Sequence, residues 1–253
     1  MKAPEERFSG RVENYVRFRT GYPDALIDFL ESECGLTADA FIADLGSGTG
    51  TLTRMLLDHG NTVFAIEPNA EMRFKAEQLL GHYERFKSVD ATAESTTLPD
   101  ECVDFVTAGR ALQWFDAPVA LREMGRILKP GGWALVVWNR RRNPPTALLA
   151  AYENMLRTYC RDYGALDKRR GAAIDLLHQS GFKLETLEHP KEFDLEQLKG
   201  LVLSLSVSPD QGDPSYQPML SALEEIFEKY QSNGQVRFDY TTTIYFVRPQ
   251  HSS

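Results

Sequence analysis

The stretch from Phe41 to Gly50 reads F-I-A-D-L-G-S-G-T-G and constrains this chain more than any other. Phe41, Ile42, Ala43 and Leu45 form a short apolar run, and Gly46, Gly48 and Gly50 follow at alternate positions. An apolar run this short, closed by glycines, predicts a buried parallel strand and not a helix. Residues 51–59 predict the helix that follows. Strand, glycine turn and helix open a nucleotide-binding α/β unit, in which the glycines let the backbone turn tightly and approach a ligand. The plainer reading is a tight strand-to-helix turn that holds nothing.

Spacing and charge narrow the ligand. Turns that hold a dinucleotide pyrophosphate read G-x-G-x-x-G and set the phosphates on the helix N-terminus. Here the third glycine comes one residue early, and Asp44 stands two residues before Gly46. A carboxylate at that place repels a phosphate and suits a cation. The turn resembles motif I of the class I methyltransferases. Their cofactor, S-adenosylmethionine, carries a sulfonium and an ammonium and has no phosphate. A second apolar run, residues 62–66, ends in Glu67, 21 residues beyond Gly46. An acid at the end of the second strand, about 20 residues past the glycines, is placed for ribose hydroxyls. Glu67-Pro68-Asn69 resembles the second motif of the family, and Asn69 is also a good N-cap for a helix through Leu80.

Composition sets outer limits. The 253 residues suffice for one large domain or a domain with a small lid. A net charge of −8 argues against a general binder of nucleic acid or anionic membrane. No apolar run nears the roughly 18 residues that span a bilayer, and residues 1–10 carry no signal-peptide core. Cys34, Cys102 and Cys160 are odd in number and scattered, which suggests reduced thiols, a cytoplasmic location and no zinc spacing.

Along the chain, residues 2–20 mix Phe8, Tyr15 and Phe18 with Arg7, Arg11, Arg17 and Arg19. They predict an N-terminal helix with solvated charges. The string Y-V-R-F-R-T-G-Y-P also resembles the segment that lies over the cofactor as a lid in many small-molecule methyltransferases. On that resemblance Arg19 pairs with the methionine carboxylate and Tyr15 lines the mouth. Residues 25–34 predict an amphipathic helix, residues 85–89 a third strand, and residues 102–108 a fourth. Between the last two, Asp90, Thr92, Ala93 and Glu94 stand where relatives pack against adenine; a plain polar loop is the alternative.

After the fourth strand, A-L-Q-W-F resembles the family's A-L-H-W-F, with Gln113 in place of histidine. An amide cannot act as a base where an imidazole can. Trp114 and Phe115 read mainly as core packing. G-R-I-L-K-P-G-G resembles a structural signature of the class and closes a helix over residues 119–128 before a strand over residues 133–138. Residues 139–145 then read as a basic loop. Helices are expected over residues 146–162 and 171–180, with Lys168-Arg169-Arg170 between them. The two basic clusters are either solvated loops or the holders of an anionic substrate, such as a carboxylate. A strand over residues 181–188, helices over residues 195–205 and 221–230, and an antiparallel final strand over residues 235–247 complete the pattern.

The expected fold is therefore α/β: a doubly wound, Rossmann-like, seven-stranded and mostly parallel sheet with an antiparallel last strand. It is expected as one domain over residues 1–253. Residues 1–35 would be the helical lid, 36–138 the cofactor-binding core, 139–180 a helical substrate-side insertion, and 181–253 the rest of the sheet. Resemblance to the small-molecule, methyltransferase-11-like group implies a methyltransferase that uses S-adenosylmethionine. Its implied cofactor contacts are Tyr15, Arg19, Asp44, Gly46, Ser47, Gly48, Gly50, Glu67, Pro68, Asn69, Met72, Thr92, Ala93, Glu94, Ala108 and Gln113. It implies a small-molecule methyl acceptor as partner, with neither nucleic acid nor membrane, and a monomer or homodimer. The rivals are a non-catalytic nucleotide-fold binding protein and an NAD-dependent oxidoreductase. The glycine spacing and Asp44 speak against the oxidoreductase.

Overall fold

The computed structural model describes residues 12–142 and 144–249. Arg7, Phe8, Arg11 and Asn143, which the sequence reading touches, lie outside them. The strands of the main sheet are β1 (Phe41–Leu45), β2 (Thr62–Ile66), β3 (Phe86–Val89), β4 (Val103–Gly109), β5 (Leu128–Arg141), β6 (Lys183–Glu188) and β9 (Tyr240–Val247). Their order is β3-β2-β1-β4-β5-β9-β6, a seven-stranded sheet. Strands β1 to β5 are parallel, while β9 runs antiparallel to both β5 and β6. The expected fold class is the observed one.

Helices α1 (Val12–Phe18), α2 (Ala25–Cys34), α3 (Thr51–Asp58), α4 (Ala70–Leu80) and α5 (Ala117–Ile127) belong to the first half. Apolar residues from the two faces of the sheet form two core clusters, one around Leu45, Val106 and Met124, the other around Ile42, Leu56 and Phe105. The chain reverses its winding between β1 and β4, so a crevice forms at the carboxyl ends of those strands.

Several boundaries differ from the sequence reading for physical reasons. Strand β5 starts at Leu128, because Leu128 pairs with Val103 before the register shifts and Trp133 pairs with Phe105. Pro130-Gly131 bulges out of this strand, with Gly131 at φ +81°. At its other end β5 runs on to Arg141, where Asn139, Arg140 and Arg141 pair with Thr242, Thr241 and Tyr240. The first half of the expected basic loop is therefore strand. Lys168-Arg169-Arg170 does not separate two helices but lies inside α7 (Tyr163–Gln179), behind α6 (Ala147–Tyr159).

The final strand also divides. β8 (Val236–Phe238) pairs with β7 (Lys191–Phe193) in a small second sheet, and only β9 enters the main one. Between β7 and β8 lie α8 (Leu195–Leu203) and α9 (Tyr216–Tyr230). Helix α9 begins ahead of the expected position, with Pro218 in its first turn, where its missing N–H costs nothing. Residues 191–238 thus leave the sheet instead of extending it. With α6 they share a third core around Tyr152, Leu198, Leu223 and Phe238. This unit stands over the carboxyl edge of the sheet, and α1 packs on α8.

Candidate active site

Two cavities meet at the crevice. The first, about 350 Å³, is built on the glycine turn and lined by Gly46, Gly48, Glu67, Pro68, Asn69, Met72, Thr92, Ala93 and Glu94. Tyr15, Gly109, Arg110, Ala111, Trp114 and Phe115 complete it. The turn has left-handed backbone at each glycine, with φ +63° at Gly46, +60° at Gly48 and +84° at Gly50. A Cβ on Gly46 would stand 2.7 Å from the Ala111 Cβ, whereas one on Gly48 would meet nothing within 4 Å. Gly46 is thus needed for closure of the wall, and Gly48 faces open space.

Glu67 is 9% exposed and closes the turn. Its two carboxylate oxygens accept from the Gly48 amide at 2.9 Å and the Asn69 amide at 2.8 Å. Each oxygen keeps a second lone pair for a ligand hydroxyl. Burial raises its pKa, opposed by the two amides and by Arg73. Asn69 caps α4 by accepting from the Met72 amide at 2.8 Å.

A narrow recess shares Tyr15, Gly46, Gly109 and Arg110 with this cavity and reaches Tyr22, Asp44 and Ser47. The Ser47 Oγ is buried there without a hydrogen-bond partner. Asp44 is 1% exposed and accepts from Thr53 Oγ1 at 2.6 Å and Thr107 Oγ1 at 2.9 Å. Burial lifts its pKa to about 6, although both hydroxyls pull it down. The loop that carries Ala93 and Glu94 is anchored from below, where Thr96 donates its amide and hydroxyl to Glu123. Arg126 holds Glu123 well below the usual carboxylate range, at about 2.

The second cavity, about 440 Å³, adjoins the first and shares Tyr15, Arg110 and Trp114 with it. It is lined by seven arginines, Arg19, Arg110, Arg140, Arg141, Arg142, Arg157 and Arg170, against two carboxylates, Glu153 and Asp167. The carboxylates are taken. Glu153 and Tyr163 bind Arg141, at 2.5 Å and 2.6 Å, and Asp167 holds Arg157 at 3.1 Å and Arg170 at 3.2 Å. Arg142 approaches Asp239 at 3.9 Å. Among the described residues Arg19, Arg110 and Arg140 have no acidic partner.

Of the residues singled out by resemblance, Tyr15, Gly46, Gly48, Glu67, Pro68, Asn69, Met72, Thr92, Ala93 and Glu94 come together around the first cavity. Asp44 and Ser47 reach its recess. The others stand elsewhere. Gly50 caps α3 and packs on Leu80. Ala108 is wholly buried in the core. Arg19 lies on the second cavity, with its guanidinium 4.9 Å from the Tyr15 ring and Nη2 donating to the Ser204 carbonyl. Gln113 also lines the second cavity. Its Oε1 accepts from Trp138 Nε1 at 2.9 Å and its Nε2 donates to the Arg110 carbonyl at 2.7 Å. Asp90, another polar candidate, is held by Arg73 at 2.8 Å. The sequence reading leaves Arg110 out of the cofactor contacts and treats Trp114 and Phe115 mainly as packing. The position of Arg110, just past the carboxyl end of β4, was the available signal.

Known proteins resemble this chain in sequence and in fold. The methyltransferase domain family matches residues 43–136. An uncharacterized methyltransferase of Schizosaccharomyces pombe is 28% identical, over 94% of this chain and 95% of its own length. An uncharacterized methyltransferase of Mycobacterium bovis is 37% identical, over 53% of this chain and 52% of its own. A solved structure of a candidate type II methyltransferase from Anaeromyxobacter dehalogenans has a TM-score of 0.64 at 20% identity, over 92% of this chain and 100% of that one. At such identity the likeness speaks for the fold alone. The matched domain and the fold are those of the class I S-adenosylmethionine-dependent methyltransferases. The protein is a methyl-transferring enzyme, and its cofactor is S-adenosylmethionine. No helix among the described residues is long and apolar enough to cross a membrane.

Proposed function

We propose that this enzyme methylates a small anionic molecule and that a carboxylate receives the methyl group. The observation that carries the reading is the second cavity, where seven arginines face two carboxylates beside the glycine-turn cavity. In an acidic chain of net charge −8, this concentration of guanidinium groups suits planar, bidentate recognition of carboxylates.

In this reading the first cavity holds the cofactor. Its donor set supports that assignment. Glu67 offers two free lone pairs to ribose hydroxyls, and Gly48 leaves room against the turn. The unpartnered Ser47 Oγ and the Asp44 carboxylate suit an amino-acid end. Met72, Trp114 and Phe115 offer an apolar slot for a ring. Helix α1, which brings Tyr15 to both cavities, serves as the lid, and residues 139–180 with 191–238 form the acceptor side. A cytoplasmic location accords with three free cysteines.

The cofactor supplies a methyl group already activated on a sulfonium. The protein then has to align the acceptor and exclude water, which lowers the barrier by about 7–11 kcal/mol in favourable cases. A carboxylate acceptor gives up no proton, so no base is needed. Gln113 is engaged at both ends of its amide and serves to position Arg110.

The test is methyl transfer from S-adenosylmethionine to a panel of carboxylates, amines, phenols and thiols. Methyl esters are expected. Transfer confined to amines, phenols or thiols would overturn the reading.

A further inference from the structure

Three side-chain donors buried at the second cavity lack any hydrogen-bond partner: Arg19 Nε, Arg110 Nε and Tyr152 OH. Tyr152 has no exposed surface, and the Arg141 guanidinium lies 5.3 Å from its ring centre. A buried donor left unmade carries the full cost of its lost hydration. Three around one cavity mean that something outside the chain accepts from them. Neither Arg19 nor Arg110 forms an ion pair with an acid among the described residues, so an anionic acceptor fits them.

Arg110 is placed with unusual care. It is a non-glycine residue at φ +57°, a left-handed conformation that a side chain disfavours. Its amide donates to the Val137 carbonyl at 2.8 Å, and its own carbonyl accepts from Gln113, which Trp138 holds in turn. Its guanidinium lies 5.2 Å from the Tyr22 ring centre. It lines both cavities. Burial lowers the pKa of Arg19, and the like charge of Arg110 adds to that effect; an anion between the two relieves both.

We propose that Arg110, Arg19 and Tyr152 grip the carboxylate that is methylated, at the junction of the two cavities, and that they release the product because it has lost its charge. The proposal rests on the carboxylate reading given above. One carboxylate oxygen forms the new O–C bond while the methyl–sulfur bond breaks and its electron pair goes to sulfur. No proton moves. An anion and a sulfonium become a neutral ester and a neutral thioether. The guanidinium contacts weaken along this path, so they contribute to acceptor binding more than to the rate of the chemical step.

The test is calorimetry on the full chain saturated with S-adenosylhomocysteine. The probes are succinate, glutarate and 3-phenylpropionate, each beside its methyl ester. At least one acid should bind wild type tenfold or more tightly than its ester. Tyr152→Phe, which removes only the hydroxyl, should lose about threefold of acid affinity and none of ester affinity. Arg110→Met should lose tenfold or more for the acid, with Arg110→Lys between. In turnover, Arg110→Met should raise KM for the acid more than it lowers kcat. If Arg110→Met does not fold, Arg19→Met and Tyr152→Phe decide. Acids that bind wild type but bind these variants equally well, or no better than their esters, overturn the proposal and leave the carboxylate reading standing. If none of the acids binds wild type, both fall.

Discussion

The two cavities share a wall at Tyr15, Arg110 and Trp114 yet are made in opposite ways. The first is formed by strand ends and their turns, within residues 44–115 apart from Tyr15, and its carboxylates Glu67 and Glu94 suit a cation. The second gathers residues from α1, the end of β5, α6, α7, the segment after α8, and β9, and its guanidinium groups suit an anion. On the proposed reading, opposite charge on two neighbouring sites does two things. It sorts donor from acceptor, because each ligand is repelled by the other's cavity. It also brings a cation and an anion face to face, which is the arrangement that a methyl transfer to a carboxylate consumes.

Variants can break that contrast one side at a time. The largest effect is expected from Gly46→Ala. The new Cβ would stand 2.7 Å from Ala111 on a backbone at φ +63°. Strain and overpacking together cost about 2–5 kcal/mol. Urea melts should show that loss, and calorimetry should find S-adenosylhomocysteine bound a hundredfold more weakly or not at all. Unchanged cofactor affinity would mean that the turn is not the donor site.

Glu67→Ala comes next. Hydrogen bonds to a carboxylate contribute about 1.5–3 kcal/mol each, so cofactor affinity should fall at least tenfold, with the fold retained. Affinity for the carboxylate probes should stay where it was. If those fall in parallel, the two cavities are one site.

On the other side, Glu153→Gln removes the carboxylate that binds Arg141 and Tyr163. The Arg141 side chain is only 19% exposed, so the lost pair should cost about 1–3 kcal/mol in denaturant melts. Cofactor affinity should not move, and a tenfold loss there would refute the division.

The smallest effect is in pH. Burial raises Asp44 from 3.8 to about 6. Since the folded protein holds this proton more tightly than the unfolded chain, Asp44 lowers stability as pH rises from about 4 to about 6. The ammonium of the ligand's amino-acid end favours the ionised form, so S-adenosylhomocysteine affinity should rise severalfold over the same interval. Asp44→Asn should flatten that slope; a slope that survives the substitution would place the titrating group elsewhere.

The contrast also explains what the sequence made legible. The donor side could be read because its chemistry is local: turn glycines, a buried acid at a strand end and a cap residue lie within a few positions of one another. The acceptor side could not. Arg19, Arg110, Tyr152 and Tyr240 meet only after β9 has brought Tyr240 beside Arg141 and α6 has folded back over the sheet. Residues 139–141 read as a loop because their partners lie about a hundred positions away. Resemblance of the string Y-V-R-F-R-T-G-Y-P pairs Arg19 with the methionine carboxylate, but the backbone turns at Thr20-Gly21, where Asn139 and His189 hold the Gly21 carbonyl, and Arg19 lies on the second cavity. The division of the final strand at Asp239 left no mark in an alternating pattern that suits either sheet.

Strand β9 lies between β5 and β6, although it comes after both in the chain. On a ribosome, the sheet therefore stays open beside β5, near one edge, until residue 247 has been made. Until then β5 exposes an unpaired edge rich in valine and tryptophan, and β6 has no neighbour at all. The small unit of β7, α8, α9 and β8 precedes β9 and can form its own core during that wait. A nascent chain stalled before residue 240 would hold a finished donor turn beside an unfinished sheet, and that edge is where a chaperone holding the newborn protein would find something to cover.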